Sequence, residues 1–411
     1  MRYSTLPKLL CAGFLLTVNA PTFAQNNRAF AITGETKGNI AWTVVREIDL
    51  STGAELRTIY APSSKTTILD AVSGARLQQS DMSVTSYNDK NAVTAPTETL
   101  VAASAYDIKT NRLFYTPMRS NELRYFDLNR GTSTVFYVRN TALKTFAETP
   151  GEANVITRMC FGSDGYGYAL TNDANHLIRF SSGEKITIVD LGQVQDGKKN
   201  EGISIRNMCT SWGGDMIGDA FGNLYIISMK GNIFKLNPQT LVADFVGQVK
   251  NLPQDYTINA AAVDAIGNVV VGCASKTENY YSVNLSTLDA VALPKQQQEV
   301  YNTSDLASCH FAYENLVNTP ATVNTKANVS VYPNPVVNKT INISFDALKA
   351  GNHNVQVTDA SGNSILIKAI NINGKTNTQL LLPKSTSGGM YMIKVTDSFG
   401  KEQYSGKVVV L

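Results

Sequence analysis

A short turn motif, Asp-x-x-Gly-Asn followed by two apolar residues, recurs along the middle of this chain, and a recurrence of that kind commits a sequence to packing like units side by side. It appears as Asp219-Ala220-Phe221-Gly222-Asn223-Leu224-Tyr225 and again as Asp264-Ala265-Ile266-Gly267-Asn268-Val269-Val270. Variants read Ser163-Asp164-Gly165-Tyr166-Gly167-Tyr168 and Asp107-Ile108-Lys109-Thr110-Asn111-Arg112-Leu113. Each places a tight reversal between two apolar strands, with Gly or Asn accepting positive φ. A second reversal follows in each unit: an apolar residue, then Asp, Asn or Ser, then a short turn. It falls at Ile48-Asp49, Phe126-Asp127, Phe180-Ser181, Leu236-Asn237 and Val283-Asn284. The echo of Leu191-Gly192-Gln193-Val194 in Val246-Gly247-Gln248-Val249 marks the outer edge of two consecutive units. The unit is thus roughly 50 residues of hairpin, turn and hairpin, the size of a four-stranded propeller blade.

Ring closure leaves its own trace. Residues 30–56 lack an inner strand, whereas residues 305–311 form a strand without partners. Joining the two completes a composite blade and removes the edges that an open sheet would expose. Five outer turns predict five blades. The long interval between Asp49 and Asp127 leaves room for a sixth, although its polar middle, residues 73–97, reads as an insertion loop. No long stripe of helical period appears, so the expected class is all-β, a β-propeller of five or six blades.

After about residue 328 the grammar changes. Seven short β-rich runs, separated by Asn, Gly, Pro, Asp and Ser, reach the C-terminus. Ile341, Ile343 and Phe345 alternate with polar Asn342 and Ser344, so that strand has one buried and one wet face. Together the runs predict a small immunoglobulin-like β-sandwich. Three motifs mark this region: the opening Tyr332-Pro333-Asn334-Pro335, the turn from Asp359 to Gly362, and Gly389-x-Tyr391-x-x-x-Val395 ahead of a basic-then-apolar terminus at Lys407. In these motifs the region resembles the type A C-terminal sorting domain of proteins exported through the type IX (Por) secretion system of Bacteroidetes. The resemblance implies outer-membrane translocation by the type IX machinery, removal of the tail, and release or attachment at the cell surface. The Gly-Asn-Leu-Tyr cadence of the middle region is similar to that of NHL and gluconolactonase-like propellers.

The N-terminus agrees with export. Arg2 and Lys8 precede an apolar stretch from Leu9 to Val18, and Thr22-Phe23-Ala24 before Gln25 fits a small-residue cleavage site. The stretch is too short to span a bilayer, so it reads as a signal peptide and no transmembrane segment is expected. The expected organisation is a signal peptide at 1–24, a propeller at 25–317, a linker at 318–327 and a sorting domain at 328–411. Without Arg2 and Lys8, the 36 basic residues against 33 acidic ones leave a mature chain close to neutral. No basic patch marks a nucleic-acid partner or a lipid surface. Cys160, Cys209, Cys273 and Cys309 remain, bound for an oxidising compartment; two disulfides and free core thiols are both open.

Residues preceding the inner strands would ring one mouth of the channel. Depending on how the units are aligned, that ring includes Arg158, Asn207, Asp215, Asn259 and Asp305: matching the turn glycines sets Arg158 opposite Asp215 and Ala260, whereas matching Arg158-Met159-Cys160 to Asn207-Met208-Cys209 sets it opposite Asn207 and yields the polar ring. Clustered Asn and Asp oxygens would suit a calcium ion, and gluconolactonase-like propellers bind a metal there, but a cationic Arg158 opposes one. His176 reads as a hairpin-loop residue, and neighbours Cys309 and His310 on one strand would face opposite ways, so they form no nucleophile and base. No nucleophile elbow, phosphate loop or His-Glu-x-x-His stretch is present. The tyrosines within the strands read as blade packing rather than as a stacking platform. The expected function is non-catalytic binding of an extracellular glycan, peptide or protein, at the cell surface or after secretion through the periplasm. An extracellular metal-dependent lactonase or esterase is the alternative.

Overall fold

The computed structural model describes residues 27–78, 95–118, 122–130, 134–139, 151–294, 299–314, 329–346, 348–359, 363–398 and 401–411. The signal peptide and linker expected from the sequence lie outside these residues, as does Gly362. Five sheets built from antiparallel meanders make up the first part of the chain. Their innermost strands are Thr303–Ala307, Val101–Asp107, Ile156–Phe161, Asp215–Gly218 and Ala260–Val263, and each packs beside the next around a ring that closes on itself. We number the sheets one to five in that order.

Closure follows the expectation. Arg28–Thr33 pairs with Val44–Asp49 on one side and with Thr303–Ala307 on the other, so chain beginning and end share sheet one. The interval between the first two units forms no further radial sheet among the described residues. Thr67–Asp70 runs parallel to Thr134–Arg139 and, with Arg76–Leu77, widens sheet two to six strands. Gln195–Asp196 likewise adds a parallel edge to Val242–Gln248 in sheet four.

Local chemistry explains the turns. Asp219 Oδ1 accepts the backbone N–H groups of Phe221 (2.9 Å) and Asn223 (2.8 Å), while its Oδ2 accepts from Asn223 Nδ2 at 2.8 Å. Gly222 supplies the left-handed residue at φ +84°. Asp264, Gly267 and Asn268 repeat the arrangement in sheet five. The outer reversals are side-chain-capped turns: Asn284 Oδ1 accepts from Ser286 N at 2.8 Å, and Asp49 Oδ1 from Ser51 N at 2.7 Å.

Small residues crowd the axis, where five strands converge: Ala102, Ala103 and Ala105 in sheet two, Gly218 in sheet four, and Ala260, Ala261 and Ala262 in sheet five. A Cβ on Gly218 would come within 2.6 Å of the Phe161 carbonyl oxygen, so nothing larger fits. Larger side chains fill the wedges between sheets. Phe114, Tyr125, Phe161 and Phe180 form one such cluster between sheets two and three. Tyr115, Tyr168, Tyr225 and Tyr280 are buried, which agrees with tyrosine as packing material.

The tail has the seven expected strands in two facing sheets. Val329–Tyr332, Thr340–Phe345 and Thr376–Leu381 form one; Ser364–Ile372, Gly351–Asp359, Gly389–Asp397 and Glu402–Val410 form the other. Ile341, Ile343 and Phe345 face Val355, Val357, Ile393 and Val395 across a closed apolar core. Asn334 pins the Tyr-Pro-Asn-Pro opening to the last strand, accepting from Val409 N at 2.9 Å and donating to the Lys407 carbonyl. Tyr391 donates its hydroxyl to the Ser387 carbonyl at 2.7 Å. Lys235 Nζ reaches the Gly388 carbonyl oxygen at 3.3 Å, and the tail rests there against sheet four.

Candidate functional site

The two ends of the channel differ. At the end where the inner strands begin lies a cavity of about 720 Å³, lined by Trp42, Thr99, Leu100, Met118, Glu152, Thr157, Asn172, Gly213, Asn259 and Ser304 among others. At the other end only about 20 Å³ remains, enough for one water molecule. A strap closes that end. After Ala307 the chain crosses beneath the axis, and Ala312 bridges to Asp219, exchanging backbone hydrogen bonds of 3.0 Å with Gly218 and Ala220. Tyr313 then packs tilted against Phe221 and edge-on to Tyr225. Among the described residues, the roomy end is the one that a ligand can enter.

The mouth is built from the segments that lead into the inner strands. Val101 N donates to the Trp42 carbonyl at 3.0 Å, and Thr97 Oγ1 to the Thr43 carbonyl at 2.8 Å, which ties the loop carrying Trp42 to the start of sheet two. Thr99 and Leu100 both adopt φ +69°, two consecutive non-glycine residues in the left-handed region. Such strain persists only where neighbours hold it, here the Met118 carbonyl, which accepts from Thr99 Oγ1 at 2.6 Å, and the Leu100 carbonyl, which accepts from Met118 N at 2.8 Å. Asn302, fully buried, donates to the carbonyls of Asn39 and Ala274 and locks sheet one to sheet five at the rim.

Of the five residues expected to ring the mouth, Asn259 lines the cavity. Its Oδ1 accepts from Thr257 Oγ1 at 2.9 Å and from Ala274 N at 3.1 Å. Arg158 is fully buried and serves as a clamp: it donates to the carbonyl oxygens of Gly213 and Ser211, with Thr171 at 3.4 Å. Burial without a paired carboxylate pulls its guanidinium down to about 10. Asn207 lies on an exposed loop, capping a turn at Cys209 N.

Asp215 and Asp305 meet inside the channel, both with no exposed surface. Asp215 accepts from Met216 N and Ala261 N, each at 2.7 Å; Asp305 Oδ1 accepts from Ser104 Oγ. Asp305 Oδ2 is buried without a donor among the described residues. Burial raises both carboxyl groups, and the neighbouring Asp215 charge raises Asp305 further. Two carboxylates in contact cannot both ionise in such a site, so a proton held on Asp305 supplies the missing donor.

This donor set does not fit the calcium ion considered from the sequence. The Asn259 oxygen is already spent on two donors, Asn207 lies on an exposed loop, and the carboxyl pair has no exposed surface, with Asp215 taken up by backbone N–H groups and Asp305 Oδ1 by Ser104. No group of three or more His, Cys, Asp or Glu side chains suited to a metal occurs among the described residues.

The four cysteines are free thiols: Cys160 and Cys273 buried, Cys309 partly buried and Cys209 exposed. Cys309 and His310 lie past the end of Thr303–Ala307, in the strap rather than on a strand, so the expected opposition of their side chains has no basis there. His310 Nδ1 sits 3.4 Å from Glu314 Oε2. His176 Nδ1 sits 2.8 Å from Asp190 Oδ2 in a hairpin, and His176 is not among the residues that line the cavity. Sequence reasoning missed Trp42, Thr99, Leu100, Met118 and Asn172. Asn172 could have been found through the loop that it opens, Asn172–His176; the others belong to no repeated motif.

Residues 330–411 match the family model described as the secretion system C-terminal sorting domain. No curated protein matches the chain. Solved structures with a similar course include PorZ, a surface component of the type IX secretion system of Porphyromonas gingivalis, at 15% identity and a TM-score of 0.36, covering 94% of this chain and 58% of that one. Virginiamycin B lyase from Staphylococcus aureus aligns at 10% identity and a TM-score of 0.31, covering 75% and 84%. A candidate gluconolactonase aligns at 12% identity and a TM-score of 0.28, covering 75% and 88%. No helix among the described residues is long and apolar enough to cross a membrane. The tail that closes this chain is a type IX sorting domain, and it directs a propeller-like protein to the cell surface or the extracellular space.

Proposed function

We propose that the protein is a non-catalytic binding module that captures an extracellular ligand in the cavity at the open mouth of its channel. A signal peptide at residues 1–24 delivers the chain to the periplasm of a Bacteroidetes cell, and the tail hands it to the type IX machinery. The observation that carries the reading is the pairing of one roomy, one-ended cavity with a lining in which Glu152 is the sole titratable side chain among the described residues. Efficient acid–base or nucleophilic catalysis sets a nucleophile or acid against a titratable partner that takes or gives its proton, and Glu152 has no such partner among the described lining residues. A volume of this size is typical of small-ligand sites.

The test is to probe the full exported chain on glycan and peptide arrays beside a Met118→Arg variant, which fills the mouth. Retention by the wild type and its loss in the variant are expected. Turnover of a chromogenic ester or lactone that disappears in Glu152→Gln would sink the non-catalytic reading. Equal retention of ligand by the Met118→Arg variant would remove the mouth as the site.

A further inference from the structure

Two asparagines in the cavity wall have their amide groups locked in one orientation. Asn172 Oδ1 accepts from Gly213 N at 2.7 Å and from Thr157 Oγ1 at 3.4 Å; Asn259 Oδ1 accepts from Ala274 N and Thr257 Oγ1. A backbone N–H can only donate, so the oxygen of each amide must face it and the NH₂ group must turn the other way. Neither Nδ2 has an acceptor among the described residues, and Asn172 is more than nine-tenths buried. Both residues line the same cavity. Trp42, whose carbonyl is tied to Val101 N at the start of sheet two, lines the same cavity, and its indole N–H is buried without an acceptor among the described residues.

Unspent N–H donors at the edge of one cavity call for a ligand rich in acceptor oxygens. Glu152 adds a single negative charge, which disfavours an anionic ligand and accepts from a hydroxyl. Leu100 and Met118 supply an apolar wall, and Trp42 a ring on which the C–H face of a pyranose can lie. A peptide offers about one carbonyl per residue, spaced along its length, whereas a sugar concentrates acceptors and donors within one ring. From this geometry we infer that the mouth cavity recognises a neutral saccharide, with Asn172 and Asn259 as the donors that select it. The inference rests on the binding reading above and narrows it to one ligand class.

The test uses the full exported chain with maltose, cellobiose, mannobiose and N,N′-diacetylchitobiose as probes, read by saturation-transfer NMR and calorimetry. Asn172→Asp and Asn259→Asp keep the oxygen that anchors each backbone N–H and replace the NH₂ donor by an acceptor. A rise in Kd of about tenfold or more in each, with the unfolding midpoint retained, is the expected result. Trp42→Phe, which keeps the ring but not the N–H, is expected to weaken binding less. Saccharide binding unchanged in both Asp variants would overturn the assignment of donors. Array retention of peptides alone, still blocked by Met118→Arg, would overturn the saccharide class and leave the binding reading standing. Retention of neither class would overturn both.

Discussion

Asp305 shows how far a residue's chemistry depends on what surrounds it. In the sequence it stands as one more polar residue near an inner strand; in the fold it shares a proton with Asp215, beside Ser104 and with Arg158 and Cys160 on the neighbouring strand. Burial pushes Asp215 up to about 8, whereas in the unfolded chain it ionises near 4. The native state therefore keeps protons that the unfolded state releases from about pH 4 upward, and stability should fall as pH rises through that window, with Asp305, itself held well above the ordinary carboxylate range, adding to the loss. Urea unfolding of the full chain at pH 5 and pH 8 is expected to show the loss. Asp305→Asn, which supplies a permanent donor, should flatten the slope and stabilise the protein at pH 8 by about 1–3 kcal/mol. A steeper slope in that variant would refute the shared proton. Arg158 makes the same point. Its charge was visible, yet its clamp on Ser211 and Gly213 depends on a loop that no spacing rule connects to it.

At the scale of elements, the turns were the most legible part of the molecule. An Asp that caps two N–H groups, a Gly at positive φ and an Asn that returns to the Asp all lie within five residues, so their chemistry is local and the sequence displays it whole. The tail uses the same device, with Asp359 accepting from Asn363 N and Nδ2, each at 2.9 Å. Asp219 is buried and holds three donors in its turn; Asp219→Ala should cost about 2–3 kcal/mol by leaving those N–H groups unpaired. Denaturant midpoints would measure it, and a change under about 0.5 kcal/mol would show that the turn holds without its cap. Other elements were hidden. The parallel pairing of Thr67–Asp70 with Thr134–Arg139 joins segments far apart in the chain, and the strap from Ala307 to Tyr313 has no periodicity to betray it.

For the whole molecule, closure is the decisive act. Sheet one gains its innermost strand, and the ring its closure, only when Thr303–Ala307 returns to Arg28–Thr33, so a stop codon after Val300 should abolish cooperative unfolding rather than shorten the protein harmlessly. A stop after residue 318, which removes the tail but keeps the strap, should leave the propeller's midpoint within a few degrees, because the sandwich closes its own core. Calorimetry of both chains would decide; collapse of the longer one would mean that the tail is part of the propeller's fold. The sequence by itself determined the repeat, the all-β class and the address of the chain, since each is written in contiguous runs whose chemistry is local; the composite closing sheet was legible because each end of the ring left an incomplete set of strands. Only the tertiary structure decided which channel mouth is open, that Arg158 and the two aspartates are interior, and that Asn172, Asn259 and Trp42 share one cavity. Those facts depend on contacts between sheets, and the packing around the axis, rather than any one segment, sets them.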